Sequence, residues 1–151
     1  DYWAQNLHHT QINYRHCVEN PGRYKGYGPD CWGLTASDNF EGYNAHAPNN
    51  DLGVITPTAA LSSFPYTPAE SMQALRHFYE DLGDRIWTEY GFTDAFCESR
   101  NWYADSHLAI DQGPVIVMME NHRTGLLWKL FMNIPEIRQG LQVLGFETTK
   151  K

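Results

Sequence analysis

The sequence predicts an all-α (mainly) fold: one domain of helices joined by long, aromatic-rich loops. Three observations support this prediction. Apolar side chains recur at helical spacing through residues 2–19. A Thr-Pro-Ala-Glu motif at 67–70 is typical of a helix start, with Thr as the cap and Pro in the first turn. Residues 20–55 show neither helical spacing nor strand alternation, so they indicate a long loop, which is often functional.

The first half of the chain contains three predicted helices. The first covers residues 2–19 and is stopped by Asn20-Pro21-Gly22. Thr56-Pro57 caps a short helix that runs to about Ser63. The third begins at Thr67 and ends at Gly83, and its apolar stripe is formed by Met72, Leu75, Phe78, Tyr79 and Leu82.

The second half begins with a weakly alternating segment and ends in helices. Residues 86–96 favour either a short β-hairpin or an irregular loop. A helix is predicted from Ile110 to Arg123, with Pro114 tolerated in its first turn and Thr124-Gly125 as its stop. Leu126–Met132 forms a short helix, and a last one begins at Asn133-Ile134-Pro135-Glu136 and ends at Gly145.

Composition excludes several classes of function. The chain has 151 residues with 42% hydrophobic and 19% charged residues, which is typical of a globular domain rather than a disordered one. A net charge of −7 disfavours a nucleic-acid partner. The sequence has neither a membrane span nor a visible signal peptide. One feature stands out, because aromatic residues make up 14% of a fairly polar chain.

Cysteine and histidine patterns favour neither a metal nor a redox site. Cys17, Cys31 and Cys97 form no C-x-x-C motif, and we expect buried, unreactive thiols. A Cys17–Cys31 bridge is the alternative in an oxidising compartment. His9 and His16 are seven residues apart on one helix, too far to share an ion. We therefore expect no metal and no other cofactor; Gly-rich nucleotide loops and a Ser nucleophile motif are also absent.

Carboxylates beside aromatic rings are the candidate reactive groups. Asp38 ends a Trp-Gly-Leu-Thr-Ala-Ser-Asp segment, Asp94 lies between two Phe residues, and Asp111 precedes Gln112 at a helix start. Capping of Asx turns is the alternative role for Asp38 and Asp94. Core packing is the alternative role for the aromatic rings.

Glu120 lies in an apolar stretch of the predicted helix at residues 110–123. We expect burial to raise its pKa, because an ionised carboxylate is costly to desolvate. A salt bridge to Arg123 or Lys129, or capping of a neighbouring backbone, is the alternative. Paired carboxylates in an aromatic cleft suit a glycosidase, which needs one protonated acid and one ionised base or nucleophile.

Several motifs together resemble the C-terminal part of the glycoamylase-like domain family, which includes bacterial endo-β-1,2-glucanases. The resemblance covers nearly the whole chain, in consistent order. The motifs are Tyr27-Gly28, Trp32-Gly33-Leu34-Thr35-Ala36-Ser37-Asp38, Gly42-Tyr43, Pro57-Thr58-Ala59-Ala60, Pro65-Tyr66-Thr67-Pro68, Tyr90-Gly91-Phe92-Thr93-Asp94-Ala95-Phe96, Ile110-Asp111-Gln112-Gly113-Pro114 and Glu120-Asn121-His122-Arg123-Thr124-Gly125.

This resemblance implies an (α/α)6 toroid around a central cleft, and metal-free hydrolysis of β-1,2-glucan to sophoro-oligosaccharides. It also implies a bacterial protein that is periplasmic or extracellular. Since such a toroid needs more than twice this chain, we expect residues 1–151 to be the C-terminal portion of a single catalytic domain. We expect a monomer whose partner is a carbohydrate.

The resemblance also suggests roles for individual residues. Asp38 and Glu120 are the candidate catalytic carboxylates within this chain, although the family's essential acids lie largely upstream of it. Trp32, Tyr43 and Phe92 are expected to stack on glucosyl rings. The expected hydrogen-bonding partners of the sugar hydroxyls are Thr35, Asp94, Asp111 and Gln112.

Three alternatives remain open from the sequence. A related domain of cyclic β-1,2-glucan synthases performs transglycosylation, which would give longer or cyclic products. A non-catalytic carbohydrate-binding α domain would bind glucan and release no reducing ends. An older glucoamylase label of the family suggests starch as a substrate, and we rank that activity lowest.

Overall fold

The computed structural model describes residues 1–146 and confirms a mainly α architecture. Helix α1 (Tyr2–Glu19) has the predicted bounds: the Asp1 carboxylate accepts from the N–H groups of Trp3 and Ala4, and Asn20 ends the helix in the left-handed conformation. The remaining helices are α2 (Pro57–Leu61), α3 (Pro68–Arg76), α4 (Gly83–Ile86), α5 (Ala109–Thr124), α6 (Leu126–Met132) and α7 (Pro135–Val143). The predicted domain extends to residue 151, so its last five residues lie outside the described part.

The third predicted helix differs from expectation at both ends. Thr67 does not cap α3 through its side chain; its hydroxyl lies 3.3 Å from that of Ser71. The α-helix ends at Arg76 and continues as one π-helical turn, His77–Asp81, because the N–H of Leu82 donates to the carbonyl of His77. Gly83 therefore begins α4 rather than ending α3. Of the predicted stripe, Phe78 and Leu82 are buried, whereas Met72 and Tyr79 are exposed.

Three short antiparallel hairpins interrupt the helices. Strands β1 (Ala36–Asn39) and β2 (Gly42–Ala45) pair within the segment predicted to be a loop without secondary structure, so that prediction is wrong. Strands β3 (Trp87–Thr88) and β4 (Gly91–Phe92) form a hairpin, so the β-hairpin rather than the irregular loop is the correct prediction for residues 86–96. Strands β5 (Phe96–Cys97) and β6 (Trp102–Tyr103) form the third hairpin.

An aromatic core joins α1, α3 and the hairpins. The Trp32 ring is fully buried and meets Tyr14 of α1 edge to face at 5.4 Å between ring centroids. Phe78 meets Phe92 and Phe96 in the same T-shaped way, at 6.2 and 5.7 Å. Core packing, the alternative role for the aromatic residues, therefore applies to these rings.

The cysteines are buried and free within the described residues, so their expected burial is confirmed and the alternative Cys17–Cys31 bridge is not formed. Burial raises the pKa of the Cys17 thiol to about 12, and it raises that of Cys31 well above its ordinary value. Among residues 1–146, no helix has the length and apolar character needed to cross a membrane.

Candidate active site

A polar cleft of about 470 Å³ opens between α1, α2, the first turn of α5 and the segment that leads into β1. Its volume is typical of a small-molecule binding site. Four of the predicted sugar-binding residues border it, namely Trp32, Thr35, Tyr43 and Asp111, although the Trp32 side chain is fully buried. A larger cavity of about 700 Å³ lies at α6 and α7, but the residues that line it include no carboxylate.

Hydrogen bonds to the backbone of Gly33 and Leu34 fix this side of the polar cleft to α1 and α2. The Asn13 side chain binds both backbone groups of Leu34: its amide donates to the carbonyl at 2.7 Å, and its oxygen accepts from the N–H at 2.9 Å. The N–H of Thr56 donates to the carbonyl of Gly33 at 2.9 Å. A Cβ on Gly33 would lie 2.7 Å from the carbonyl oxygen of Thr56, so this close approach requires glycine.

Asp51 fastens the segment at residues 20–55 to the end of α1. One carboxylate oxygen accepts from the Tyr27 hydroxyl at 2.8 Å and from the N–H of Gly53 at 2.8 Å. The other oxygen contacts Nε2 of His16 at 2.7 Å. His16 therefore has a structural hydrogen-bond partner in Asp51.

Three of the predicted carboxylates come together beside the polar cleft. Asp94 is 1% exposed, and its Oδ2 accepts from the backbone N–H of Asp38 at 2.7 Å. Ser106 donates its hydroxyl to Oδ2 of Asp38 at 2.5 Å. The negative charges of Asp38 and Asp111 both lie close to Asp94, so the Asp94 carboxyl group is buried beside two groups of like charge. We call Asp38, Asp94 and Asp111 the carboxylate cluster.

The carboxylate cluster favours a proton on Asp94. Burial, opposed in part by the hydrogen bond from the Asp38 N–H and reinforced by Asp111, raises the pKa of Asp94 from 3.8 to about 6. Oδ1 of Asp94 has no donor among the described residues, since an ionised Asp111 offers only acceptors. A proton on Asp94 would allow its carboxyl group to donate to the Asp111 carboxylate.

Neighbouring backbone segments hold the cluster in place. The Asp94 N–H donates to the carbonyl of Ser106, and the Ala104 N–H donates to the carbonyl of Ala95, both at 2.9 Å. Thr58 donates its hydroxyl to the backbone carbonyl of Asp111 at 2.9 Å. Sequence reasoning missed Ser106, Thr58 and Asn13, because their partners lie 68, 53 and 21 positions away along the chain.

The structure corrects two of the predicted stacking platforms. Trp32 is fully buried and donates its indole N–H to the carbonyl of Glu70 at 3.3 Å, and Phe92 is 4% exposed. Both rings pack in the core and present no free face to a sugar. Tyr43 is 60% exposed on β2, paired in register with Asp38, and it lines the polar cleft. Gln112 donates to the carbonyl of Phe92 at 2.6 Å and so supports the hairpin β3–β4.

Glu120 does not line the polar cleft. Its carboxylate accepts from the Thr124 hydroxyl at 2.6 Å and pairs with the Arg123 guanidinium at 2.8 Å. Those hydrogen bonds, from Thr124 first and then Arg123, lower the pKa of Glu120. The expected upward shift is therefore wrong, because this face of α5 is partly exposed rather than apolar and sealed; the Arg123 alternative is the one observed.

Comparison with known proteins relates the chain to enzymes of β-1,2-glucan. It is 50% identical over 144 residues to an exo β-1,2-glucooligosaccharide sophorohydrolase (non-reducing end) of Parabacteroides distasonis; the match covers 94% of this chain and 20% of that protein. An endo-β-1,2-glucanase structure from Chitinophaga pinensis, described as a sophorotriose and glucose complex, is 62% identical with a TM-score of 0.92, covering 93% of this chain and 34% of that one.

A glucoamylase-like structure from Bacteroides fragilis is 55% identical with a TM-score of 0.96, and the match covers 99% of this chain and 36% of that one. The chain thus spans about a fifth to a third of the length of these relatives. The family described as "putative glucoamylase" matches residues 1–135. Because that match covers most of the chain, the protein belongs to the glycoamylase family.

Proposed function

We propose that the protein carrying this chain is a glycoside hydrolase that cleaves β-glucan, with β-1,2-glucan as its substrate. The observation that carries the proposal is the carboxylate cluster at the edge of the polar cleft, in a chain 50% and 62% identical to proteins named as β-1,2-glucan hydrolases. Hydrolysis of a glycosidic bond needs one proton donor and one ionised carboxylate. Asp94, with a pKa of about 6 beside the carboxylates of Asp38 and Asp111, meets the electrostatic part of that need.

Within the polar cleft, Asp111 is the carboxyl group we place in contact with the sugar. The buried Asp94, whose raised pKa favours the protonated form, would supply the proton, and Asp38 positions Asp94 through its backbone N–H. Thr35 and Tyr43 would complete the contact with a hydroxyl and an exposed ring. Further acids contributed by the rest of the domain would act with this cluster, consistent with the family resemblance.

The wider organisation also forms part of the proposal. Residues 1–151 would be the C-terminal portion of one (α/α)6 catalytic domain, as the family resemblance implies, and the two matched structures reported above are about three times longer than this chain. A periplasmic or extracellular location and a monomeric state follow from the same family resemblance. Cell fractionation and light scattering of the full-length protein would test these two points.

The experiment incubates the full-length protein with β-1,2-glucan and resolves the products by chromatography. We expect short linear oligosaccharides and new reducing ends. Longer or cyclic products would instead mean glucosyl transfer, and binding without new reducing ends would mean a non-catalytic domain; either result overturns the proposal. Release of glucose from starch, with no products from β-1,2-glucan, would contradict the proposal that β-1,2-glucan is the substrate.

The same assay tests Asp38. We expect Asp38→Asn to lower turnover at least tenfold, because the amide alters both the Ser106 contact and the charge facing Asp94. Asp105→Asn, at an exposed aspartate close in sequence to Ser106, is the matched control and should retain turnover. Equal turnover of β-1,2-glucan in the two variants would show that Asp38 has no role in the reaction.

A further inference from the structure

A second group of potential ligands lies outside the polar cleft. A sulfur, a nitrogen and a carboxylate oxygen, contributed by Cys31, His77 and Glu98, all lie within 4.8 Å of one another. Each comes from a different segment: the loop before Trp32, the π-helical turn and the 3-10 turn at 98–100. None of the three lines the polar cleft, so this group is separate from the proposed reaction site.

His77 has the arrangement expected of a metal-binding histidine. Its Nδ1 contacts Oδ2 of Asp81 at 2.8 Å, one helical turn away. Its Nε2 is buried and has no hydrogen-bond partner among the described residues. A carboxylate that binds one ring nitrogen fixes the ring and leaves the other nitrogen free as a ligand. Nε2 is therefore the nitrogen available to an ion beside Cys31 and Glu98.

Local backbone geometry brings Glu98 into the group. A Cβ on Gly26 would collide with Oε1 of Glu98, so the carboxylate occupies space that only glycine leaves open. The side chain of Glu98 is 14% exposed, and its sole ion-pair partner among residues 1–146 is the Lys25 ammonium, 3.8 Å away and 72% exposed. Because the Lys25 side chain is largely exposed, its ion pair with Glu98 contributes little to stability and can be broken at little cost.

We propose that Cys31, His77 and Glu98 form a Zn²⁺ site with three protein ligands and a fourth position open to water. Thiolate, imidazole and carboxylate together are a donor set that zinc prefers. Bonds of roughly 2.0–2.3 Å require ligand atoms about 3.5 Å apart, so the group must contract by about 1 Å. The Cys31 thiol loses its proton to solvent as the sulfur–zinc bond forms.

Such a site would connect three segments that surround the core. It would join the loop leading to Trp32 with the turn after α3 and the turn after β5. The expected consequence is a higher stability of the folded state in the presence of the ion, since a ligand that binds only the folded chain stabilises it by mass action. The expectation of no metal came from histidine spacing along one helix, which does not detect ligands from three separate segments.

The test uses the full-length protein, stripped with a chelator under reducing conditions and titrated with Co²⁺ and then Zn²⁺. We expect a sulfur-to-cobalt charge-transfer absorption that saturates at one equivalent and is abolished by Zn²⁺, and a higher Tm with Zn²⁺. Cys31→Ser should lose the absorption although Cys17 and Cys97 remain. Asp81→Asn should weaken binding roughly 10–100-fold, as loss of an orienting carboxylate does.

Two further variants serve if Cys31→Ser does not fold. His77→Gln and Glu98→Gln change partly exposed side chains, and each should abolish the Zn²⁺-dependent rise in Tm. The matched controls are His8→Gln and Glu89→Gln, at exposed positions outside the group. Both control variants should keep the Zn²⁺-dependent rise in Tm. The proposal is overturned if the wild-type protein shows no sulfur-to-cobalt absorption, or if Cys31→Ser or His77→Gln retains the full response.

Discussion

At the residue scale, the electrostatics of the polar cleft depend on Asp94. One of its oxygens is held by a backbone N–H, and the other faces the negative charge of Asp111. Because the pKa of Asp94 is higher in the folded chain than in the unfolded one, the folded state binds this proton more tightly. The stabilising contribution is thus present in acid and is lost as the pH rises through about 6.

Asp94→Asn tests this sign. In the wild-type protein, the contribution of Asp94 to the free energy of unfolding should fall between pH 3.8 and about 6, by on the order of 3 kcal/mol. Asparagine can still accept the hydrogen bond from the Asp38 N–H but does not titrate. The part of the pH dependence of the unfolding free energy that Asp94 causes should therefore vanish in the variant. Urea denaturation across this pH range measures it. An Asp94→Asn protein with the wild-type slope would contradict the assignment, and Asp105→Asn should leave the slope intact.

Single residues also show what a sequence reveals about a site. Of the sugar-binding residues proposed from residue type and resemblance, Thr35, Tyr43 and Asp111 line the polar cleft with accessible side chains, and their binding of sugar stays a prediction. The direction in which each side chain points could not be predicted from the sequence, because it depends on tertiary packing. Trp32 and Phe92 turn into the core, and Glu120 turns to the partly exposed face of α5, where Arg123 pairs with it.

At the scale of elements, helices with local start and stop signals were predictable. The bounds of α1 and α6 agree with the sequence, since periodic apolar residues and a clear stop lie within the segment itself. The hairpin β1–β2 was missed because its strands contain no β-branched residues and one of its strands is fully exposed. The π-helical turn was missed because a single shifted hydrogen bond leaves no pattern in the sequence.

The connection between α1 and the wall of the polar cleft gives the prediction at this scale. Asn13→Ala removes two hydrogen bonds to the backbone of Leu34 and leaves partly buried groups unsatisfied. We expect a loss of about 1–3 kcal/mol in the free energy of unfolding, and weaker glucan binding because the segment at Thr35 is no longer fixed. Denaturation and binding measurements on the full-length protein check both effects. As a control, Gln5→Ala on the exposed face of α1 should change neither.

At the scale of the whole molecule, the C-terminal helices expose an apolar surface. Ile116, Leu130, Phe131 and Val143 are between 54% and 80% exposed, and an apolar groove runs beside α6. Isolated proteins rarely expose contiguous surfaces of this kind. The matched relatives are about three times longer, and we expect the remainder of the catalytic domain to cover this surface.

The isolated chain should therefore behave differently from the full-length protein. We expect residues 1–151 alone to self-associate and to bind a hydrophobic dye such as ANS, because the apolar helices lack their covering. Size-exclusion chromatography and dye fluorescence measure this, with the full-length protein as the reference. A monomeric isolated chain with a cooperative melt and no dye binding would show that the surface needs no covering.

We propose that the carboxylate cluster acts on a glucan in the polar cleft, and Asp111 is the member of the cluster that lines this cleft. The most direct measurement compares kcat/KM on β-1,2-glucan for full-length wild type, Asp111→Asn and Asp105→Asn. Asp111→Asn should lose at least tenfold while its far-UV circular dichroism stays unchanged, and Asp105→Asn should match the wild type. A well-folded Asp111→Asn enzyme within twofold of the wild type would contradict the account.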